Sequence, residues 1–362
     1  MSGIVVRGVS KSFKGRRVLD DISFIVPPDS LCVLCGPPHA GKSVLLRLLV
    51  GLETPDAGAL LLDGLPLERI EPGDRPIGYV PQSFALFPHL SVFDNIAYPL
   101  RMQRAAPGEI TRRVDEAATL LRITRLLAKL PSQLSGGEKQ RVAIARGMLK
   151  RARAFVLDDP LVGLDFKLRE ALMDELKDLR AVLGATFLYA TSDSLEALAM
   201  ADRLLVLDAG RLVADGDADA VYHAPPHLRA AELIGFPRCN VLPGRREGGA
   251  CVTSLGTLPV PESGAGDALS VAVRPEQIML LPPGMQPVRG LGGVARVGLI
   301  ENLGAESVVY LDVPGLRLVA VPANDAIAGL EVGQEVSFAI PSAELAMFDT
   351  ATGRPAAGGA SR

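Results

Sequence analysis

From Ile4 to about Gly235, short apolar runs alternate with longer stretches of mixed polarity. Runs of wholly apolar residues are typical of strands buried on both faces of a parallel sheet. They occur here at Leu31–Leu34, Ala154–Leu157, Thr186–Tyr189 and Leu204–Leu207. Residues 166–183 carry leucines at three- and four-residue steps, which marks one helix face, and the stretch stops at Gly184. The pattern predicts an α/β domain with a partly parallel sheet.

The pattern changes after Gly235. Residues 236–254 are rich in glycine and proline, and short β-like runs follow them. These runs begin at Leu269, Gly293, Ser307, Leu316 and Glu335. A chain of 362 residues is long enough for two hydrophobic cores. We therefore expect an α/β domain over 1–235 and a small all-β domain over 236–362.

Composition narrows the range of functions. The apolar fraction is 48% and the charged fraction 22%, as in globular rather than disordered chains. A net charge of -3 offers no surface for nucleic acid, so we expect no nucleic-acid partner. No run reaches the length of a membrane span, and the N-terminus lacks the order of a signal peptide. We expect a cytoplasmic protein that meets a membrane only through a partner.

Two cysteines form a lone CxxC, Cys32 and Cys35, inside the first buried run. Residues i and i+3 of a strand point to opposite faces, so the two thiols diverge. This placement favours a buried apolar strand over a metal site or a redox pair.

The residues after the first buried run fit the pattern G-x-x-x-x-G-K-[ST]. They are Gly36, Pro37, Pro38, His39, Ala40, Gly41, Lys42 and Ser43. The segment follows a predicted strand and opens an apolar helix at Val44, which is the context that a phosphate loop needs. Its backbone N–H groups and the helix N-terminus form an anion nest, to which Pro38 contributes no N–H. Lys42 would reach the β- and γ-phosphates of ATP, and Ser43 would bind Mg²⁺.

Two further motifs follow in a fixed order. Leu134-Ser135-Gly136-Gly137-Glu138 precedes, by twenty residues from Glu138, the aspartate Asp158 at the end of an apolar run. Alone, the first motif would be a helix-capping turn. With the phosphate loop, the order resembles the signature sequence and Walker B of ABC transporter ATPases. The resemblance implies a head-to-tail dimer in which Ser135, Gly136, Gly137 and Glu138 face the γ-phosphate on the opposite subunit.

The resemblance also implies roles for single residues. Phe13 matches the aromatic residue that stacks on adenine, although a core phenylalanine is the plain alternative. Gln82 matches the Q-loop glutamine, which contacts Mg²⁺ and senses the transmembrane partner. Asp158 matches the aspartate that supports Mg²⁺, and Asp165 matches the aspartate of the D-loop.

The sequence also indicates the subfamily. Residues 85–103 and 158–169 resemble the importers of the maltose and glycerol-phosphate type, and the C-terminal region resembles their oligomer-binding-like domain. The resemblance implies an ATP-binding subunit at the cytoplasmic face of the cell membrane that drives uptake of a sugar, polyol or related solute. Its partners would be permease subunits, a second ATPase subunit and, indirectly, a solute-binding protein. We expect residues 84–102 to contact the permease.

Two residues depart from the family pattern. Asp159 stands where the family has glutamate, and its side chain is shorter by about 1.5 Å. Ser192 stands where the family has the switch histidine, and a hydroxyl carries no charge. With Gln82, these are the candidate catalytic residues.

Four interpretations of the chain are considered, the last and weakest of them a regulatory role in which the β-domain over 236–362 binds a transcription factor or inhibitor. The chain is a transport ATPase with tolerated substitutions, or a weakened subunit that binds ATP and completes the site of a second, competent ATPase in a heterodimer. A soluble ABC ATPase acting in repair or translation is disfavoured by the permease-docking stretch and the β-domain. The sequence contains no residue that identifies the solute.

Overall fold

The computed structural model describes residues 3–150, 152–260, 266–281, 285, 290–342 and 345–356. The chain forms two compact units, Met1–Ala218 and Asp219–Arg362. This division falls earlier than the boundary that we predict at 235. In the described part of the chain, no helix combines the length and the apolar character that a membrane crossing requires.

The first unit contains two sheets. Its strands are β1 (Ile4–Phe13), β2 (Arg16–Val26), β3 (Leu31–Cys35), β4 (Ala57–Leu62), β5 (Leu65–Pro66), β6 (Ile77–Val80), β7 (Ala154–Asp158), β8 (Thr186–Thr191), β9 (Arg203–Asp208) and β10 (Arg211–Gly216). One sheet is antiparallel with the order β2-β1-β4-β5. The other has the order β10-β9-β3-β8-β7-β6 and is parallel except for β10 at its edge. The four predicted buried strands and the partly parallel sheet are confirmed.

Six helices complete the described part of this unit. They are α1 (Lys42–Val50), α2 (Val92–Met102), α3 (Pro107–Leu120), α4 (Gly136–Met148), α5 (Phe166–Leu183) and α6 (Ser194–Met200). Helices α2, α3 and α4 pack on one another as a helical subdomain. The predicted helix is confirmed as α5, which ends at Gly184 with φ 54° and buries Leu172, Leu176 and Leu179 on one face.

Helix α1 is enclosed between the two sheets. Leu45, Leu46, Leu48 and Leu49 are all 0% exposed and share one hydrophobic core with side chains of β1, β2, β7 and β8. A surface helix buries one apolar stripe, whereas α1 is buried on several sides, so its position is firmly fixed. Replacing one of these leucines with alanine would cost about 2–5 kcal/mol of stability.

Both cysteines of the CxxC pair lie buried on β3. Burial raises the pKa of the Cys35 thiol to about 12, and it raises the pKa of Cys32 as well. Neither side chain is a thiolate near neutral pH, so both behave as apolar core residues.

The second unit is mainly β-structure. Its elements are α7 (Ala218–His223), α8 (Leu228–Leu233), β11 (Asn240–Glu247), β12 (Ala250–Thr253), β13 (Gly256–Pro259), β14 (Ala268–Val273), β15 (Met279–Leu281), β16 (Leu291–Asn302), β17 (Ser307–Val313), β18 (Leu316–Ala320), α9 (Asn324–Ile327), β19 (Glu335–Ile340) and β20 (Ala346–Asp349). The sheet orders are β13-β12-β11-β14-β20 and β15-β19-β16-β17-β18, both antiparallel. The runs predicted as strands after residue 268 are confirmed.

The glycine- and proline-rich segment is more regular than its composition suggests. Residues 240–259 form three strands, β11 to β13; Gly248 and Gly249 form the first turn, and Gly256 begins β13 directly after the second turn. The glycines therefore belong to hairpin turns rather than to a linker.

Helices α7 and α8 group with the second unit because Arg274 holds them. Its guanidinium donates to the carbonyl oxygens of Tyr222 at 2.8 Å and Ala231 at 2.9 Å, and it stacks over the Tyr222 ring at 4.0 Å. Arg274 is 7% exposed, so these buried bonds tie residues on both sides of position 235 to one core.

Candidate nucleotide-binding site

Four predicted site groups lie at one edge of the parallel sheet. The phosphate loop follows β3, Ser192 follows β8, Asp158 ends β7 and Gln82 comes soon after β6. These strands are neighbours in that order and run parallel, so their carboxyl ends lie side by side. Ligands of open α/β sheets bind at this edge.

The phosphate loop is anchored by its own backbone. The N–H of Gly36 donates to the Thr191 carbonyl at 3.3 Å, and the Ala40 carbonyl accepts from the Gly210 N–H at 3.0 Å. A Cβ atom on Gly36 would lie 2.2 Å from the Leu207 carbonyl oxygen. Gly41 has a φ of 112°, which favours glycine.

The remaining loop residues differ in exposure. Ala40 is buried, Pro37 and Val44 are half-buried, and Pro38 and His39 are exposed. His39 has a φ of 66°, so its backbone adopts the turn that the loop requires. Whether each of them contacts nucleotide stays a prediction.

The Lys42 side chain lies under the phosphate loop and contacts its backbone. It is 6% exposed, and its Nζ donates to the carbonyl oxygens of Gly36 at 2.6 Å and Pro37 at 3.2 Å. Burial lowers the pKa of Lys42, while the nearby Asp159 and Asp158 carboxylates raise it. The ammonium group is thus held beneath the loop, where a phosphate group would meet it.

Ser43 and Asp158 connect the loop helix to the sheet. The Ser43 hydroxyl donates to Asp158 Oδ1 at 2.9 Å, and Tyr79 donates to Asp158 Oδ2 at 3.5 Å. Burial raises the pKa of Asp158. Gln82 is exposed and lies two residues after the end of β6. A hydroxyl, a carboxylate and an amide oxygen form the hard oxygen set that Mg²⁺ prefers, so the residues present fit that ion.

Asp159 and Ser192 contact each other. The Ser192 N–H donates to Asp159 Oδ1 at 3.2 Å, and its hydroxyl lies 3.4 Å from Oδ2. Asp159 has a φ of 46°, an uncommon conformation that aspartate tolerates better than most residues. The two departures from the family pattern therefore form one local pair.

A buried carboxyl that the sequence analysis did not single out lies close by. Glu196 is 6% exposed and accepts hydrogen bonds from the hydroxyls of Thr191, at 2.7 Å, and Tyr189. With Asp159, Ser192 and Arg169 it lines a pocket of about 340 Å³. Burial, opposed by the positive charge of Arg169 and assisted by the negative charge of Asp159, raises the pKa of Glu196 to about 7. An acidic residue four positions after Ser192 was the only sequence signal.

The signature residues cap α4. The Ser135 side chain accepts from the Glu138 N–H at 3.3 Å, and Glu138 accepts from the Ser135 N–H at 2.9 Å, a reciprocal capping box. Gly137 is buried against Leu168, whereas a Cβ atom on Gly136 would meet no neighbour within 4 Å. Within the described residues, no hydrogen bond joins this turn to the phosphate loop of the same chain.

Two residues placed by resemblance lie elsewhere. Phe13 ends β1 and is 38% exposed, with the Lys11 ammonium 5.1 Å from its ring centroid. The alternative of a core phenylalanine is wrong, while adenine stacking stays a prediction. Asp165 caps α5 by accepting from the Leu168 N–H at 3.0 Å.

Comparisons with known proteins show the family of this chain. The family described as "ABC transporter" matches residues 19–162, and "TOBE domain" matches residues 271–348. The sn-glycerol-3-phosphate import ATP-binding protein UgpC of Rhodopseudomonas palustris is 38% identical over 96% of this chain and 98% of its own length. The maltose/maltodextrin import ATP-binding protein MalK of Vibrio cholerae is 32% identical over 96% of this chain and 95% of its own length.

The structural comparison agrees. A dimeric bacterial ABC transporter cassette matches with a TM-score of 0.55 and 27% identity, covering 59% of this chain and 98% of the cassette. A related dimeric structure, in a post-hydrolysis state bound to ADP and Pi, has the same TM-score of 0.55 and 28% identity. The chain belongs to the ABC transporter ATPase family and carries a C-terminal TOBE domain. It is an ATP-binding transport ATPase.

Replacing Lys42 with alanine should weaken ATP binding about 10–100-fold, because a charge-assisted contact to phosphate is lost. Binding is measured by titration calorimetry with Mg²⁺ present. Lys177→Ala, an exposed lysine on α5, is the matched control and should leave affinity unchanged. An unaltered affinity in Lys42→Ala would refute the assignment of the phosphate loop.

Stability should fall as pH rises from about 4.5 to about 7. Because folding raises the pKa of Glu196 from 4.5 to about 7, its contribution is complete below pH 4.5 and is lost as pH passes 7. The full effect is about 3 kcal/mol. Glu196→Gln keeps the hydroxyl contacts and should flatten the fall in thermal midpoint between pH 5 and 8. Glu170→Gln, exposed on α5, should not. Parallel curves for all three proteins would contradict this assignment.

Proposed function

We propose that this chain couples binding and hydrolysis of ATP, with Mg²⁺, to the import of a sugar, polyol or related solute. The observation that carries the proposal is the division of the site within one chain. Among the described residues, the proposed phosphate-binding edge, from Lys42 to Asp158, has no hydrogen bond to the signature turn, and a Cβ atom on Gly136 would meet no neighbour within 4 Å. The names of the relatives supply the solute class: glycerol-3-phosphate for one and maltose for the other.

The nucleotide half is proposed as follows. Phe13 would stack on adenine, the loop from Gly36 to Val44 would enclose the phosphates, and Lys42 would neutralise their charge. Ser43, Gln82 and Asp158 would hold Mg²⁺, which supplies charge neutralisation at the phosphates when bound. Asp159 and Ser192 lie next to these ligands, where they can orient the attacking water and the γ-phosphate.

The other half would come from a second ATPase subunit. Ser135 is the N-cap of α4. The first backbone N–H groups of the helix have no partner within the helix and point outward from its N-terminus. Such a turn attracts anions, and glycine lets the backbone approach them closely. In a head-to-tail dimer the signature of each subunit would therefore close on the γ-phosphate held by the other.

The permease would dock in a cleft of about 680 Å³ between the parallel sheet and the helical subdomain. Its lining includes Tyr79, Ala85, Phe87, Tyr98 and Arg146. Three of these lie in the segment 84–102, which we predicted as the permease contact. This docking would place the chain at the cytoplasmic face of the membrane.

Gly136→Ala tests the composite site. The added methyl group meets nothing in its own chain, and alanine favours helix, so thermal stability should be unchanged or slightly higher. ATP-induced dimerisation, measured by light scattering, should weaken about tenfold or more because the methyl group obstructs the partner's phosphate.

Gly137→Ala is the contrasting variant, because its Cβ would lie 2.3 Å from Leu168 Cδ2. It should lose stability by about 1–3 kcal/mol. Normal dimerisation of a stable Gly136→Ala protein would contradict the composite site.

A second candidate function rests on the contact between Asp159 and Ser192. Both side chains are shorter than the family residues, and each satisfies the other at 3.2–3.4 Å. We propose, as the alternative, a weakened subunit whose intact signature completes the site of a competent partner in a heterodimer. ATP binding alone would then close the weak site.

Steady-state hydrolysis distinguishes the two candidates. The unmodified chain alone should hydrolyse ATP slowly, and the double variant Asp159→Glu with Ser192→His should be about 100-fold faster, since a misplacement near 1 Å costs that much. Each variant's thermal midpoint controls for the left-handed backbone at 159. Vigorous hydrolysis by the unmodified chain would leave an ordinary homodimeric ATPase with tolerated substitutions.

A further inference from the structure

The turn that follows Gln82 has a backbone conformation that its sequence does not favour. Phe84 and Ala85 are consecutive and left-handed, with φ angles of 59° and 46°. Residues with side chains seldom adopt this region, and two in succession need support from outside the turn. The local bonds are short-range ones, from the Phe84 N–H to the Pro81 carbonyl and from the Ala85 N–H to the Ser83 carbonyl.

Arg146 supplies that support. Its Nη1 donates to the Ala85 carbonyl at 2.6 Å, and its Nη2 donates to the Phe84 carbonyl at 2.7 Å. The guanidinium also lies over the Phe87 ring, 5.7 Å from the centroid. A planar fork that binds two successive carbonyls fixes their orientation as well as their position, which a lysine cannot do.

Arg146 stands on the helix that begins at the signature. Helix α4 runs without interruption from Gly136 to Met148, so the Ser135 cap and Arg146 are about 16 Å apart along one rigid element. Arg141 secures the same helix from another side, by bonds to Glu175 and to the Leu121 carbonyl at 3.0 Å. Movement of the 84–85 turn must therefore move α4 or break the Arg146 bonds.

The far end of the turn is equally well held. Asn95 on α2 is 0% exposed; its side chain accepts from the Phe87 N–H at 2.8 Å and donates to the Phe87 carbonyl at 3.1 Å. The segment from Gln82 to Phe87 is thus a preformed surface between two helices. It lies on the wall of the docking cleft, directly after a residue that would contact Mg²⁺.

We propose that Arg146 is a positioning residue that ties the 84–85 turn to the signature helix. Through the Arg146 bonds, nucleotide bound at Gln82 and a permease bound in the cleft would both affect the position of the signature. The chain presents this signature to the second ATPase subunit. Arg146 itself touches neither nucleotide nor reacting atoms. The inference rests on the proposed function, since it assumes ATP in the phosphate loop and a partner in the cleft.

Hydrogen exchange of the full chain tests the proposal. The protein is kept dilute enough to be monomeric, and a non-hydrolysable ATP analogue is added with Mg²⁺. In the unmodified chain, the amides of 135–139 should exchange roughly fivefold more slowly with the analogue, as expected for coupled sites. In Arg146→Ala this response should fall below about twofold while analogue affinity stays within about threefold. Arg146→Lys, which keeps the charge and one donor, should be intermediate.

Two variants separate coupling from stability. Arg141→Ala removes another half-buried arginine of α4 and should keep the response, whereas an equal loss in both variants would reduce Arg146 to a structural role. Adding Ala85→Gly to Arg146→Ala relieves the left-handed backbone and should restore thermal stability but not the response. An undiminished response in Arg146→Ala with normal analogue binding would overturn this inference alone. Failure of the unmodified chain to bind the analogue would overturn the proposed function as well.

Discussion

The enclosure of helix α1 between two sheets is the constraint on which the nucleotide site depends. A helix buried along one stripe can tilt or slide, but α1 has fully buried leucines on several sides, including Leu45, Leu46 and Leu48. Its N-terminus is therefore fixed in space. The positive end of the helix dipole and the Lys42 ammonium are fixed with it, at the place where we propose that phosphate binds. The Ser43–Asp158 bond extends this fixed frame to the neighbouring strands.

Electrostatics at the same edge work against stability. Asp158, Asp159 and Glu196 lie close together, and burial raises the pKa of Asp158 and Glu196. The positive charges of Arg47, Lys42 and Arg169 act on these carboxyls, but Arg169 already pairs with Asp193 at 2.8 Å. A fold selected for stability alone would not crowd carboxylates in this way. The cost is consistent with a site that is completed by Mg²⁺ and by the backbone donors of a partner subunit.

Local patterns were sufficient to predict many elements. Apolar runs identified β3, β7, β8 and β9 because each strand is buried on both faces, and leucine spacing identified α5 because one face is buried. The phosphate loop could be predicted from the sequence because glycine, lysine and serine are each needed at a fixed position. The hairpin strands β11 to β13 were missed because their turn glycines dominate the composition.

Other features could not be read from the sequence, since they depend on the order of strands and the packing of distant segments. Nothing local indicates that β8 lies between β3 and β7, and this order is what places Ser192 beside Asp159. Likewise, Tyr79 reaches Asp158 across the β6–β7 pair, and Arg146 reaches a turn about sixty residues earlier in the chain. The domain boundary also depends on contacts between distant segments, because the hydrogen bonds of Arg274 hold α7 and α8 in the second unit.

The two altered residues are best understood as one unit. Asp159 and Ser192 follow adjacent parallel strands, and their contacts at 3.2–3.4 Å survive although both side chains are short. Replacing only Asp159 with glutamate, or only Ser192 with histidine, would change one partner of this contact and leave the other as it is. Neighbouring residues with a shared bond seldom have additive effects. In the proposed heterodimer, the two short side chains would keep their mutual contact while lying farther from the γ-phosphate. The signature caps a separate element, α4, so in that heterodimer the subunit would have a weakened site of its own and would still complete the site of its partner.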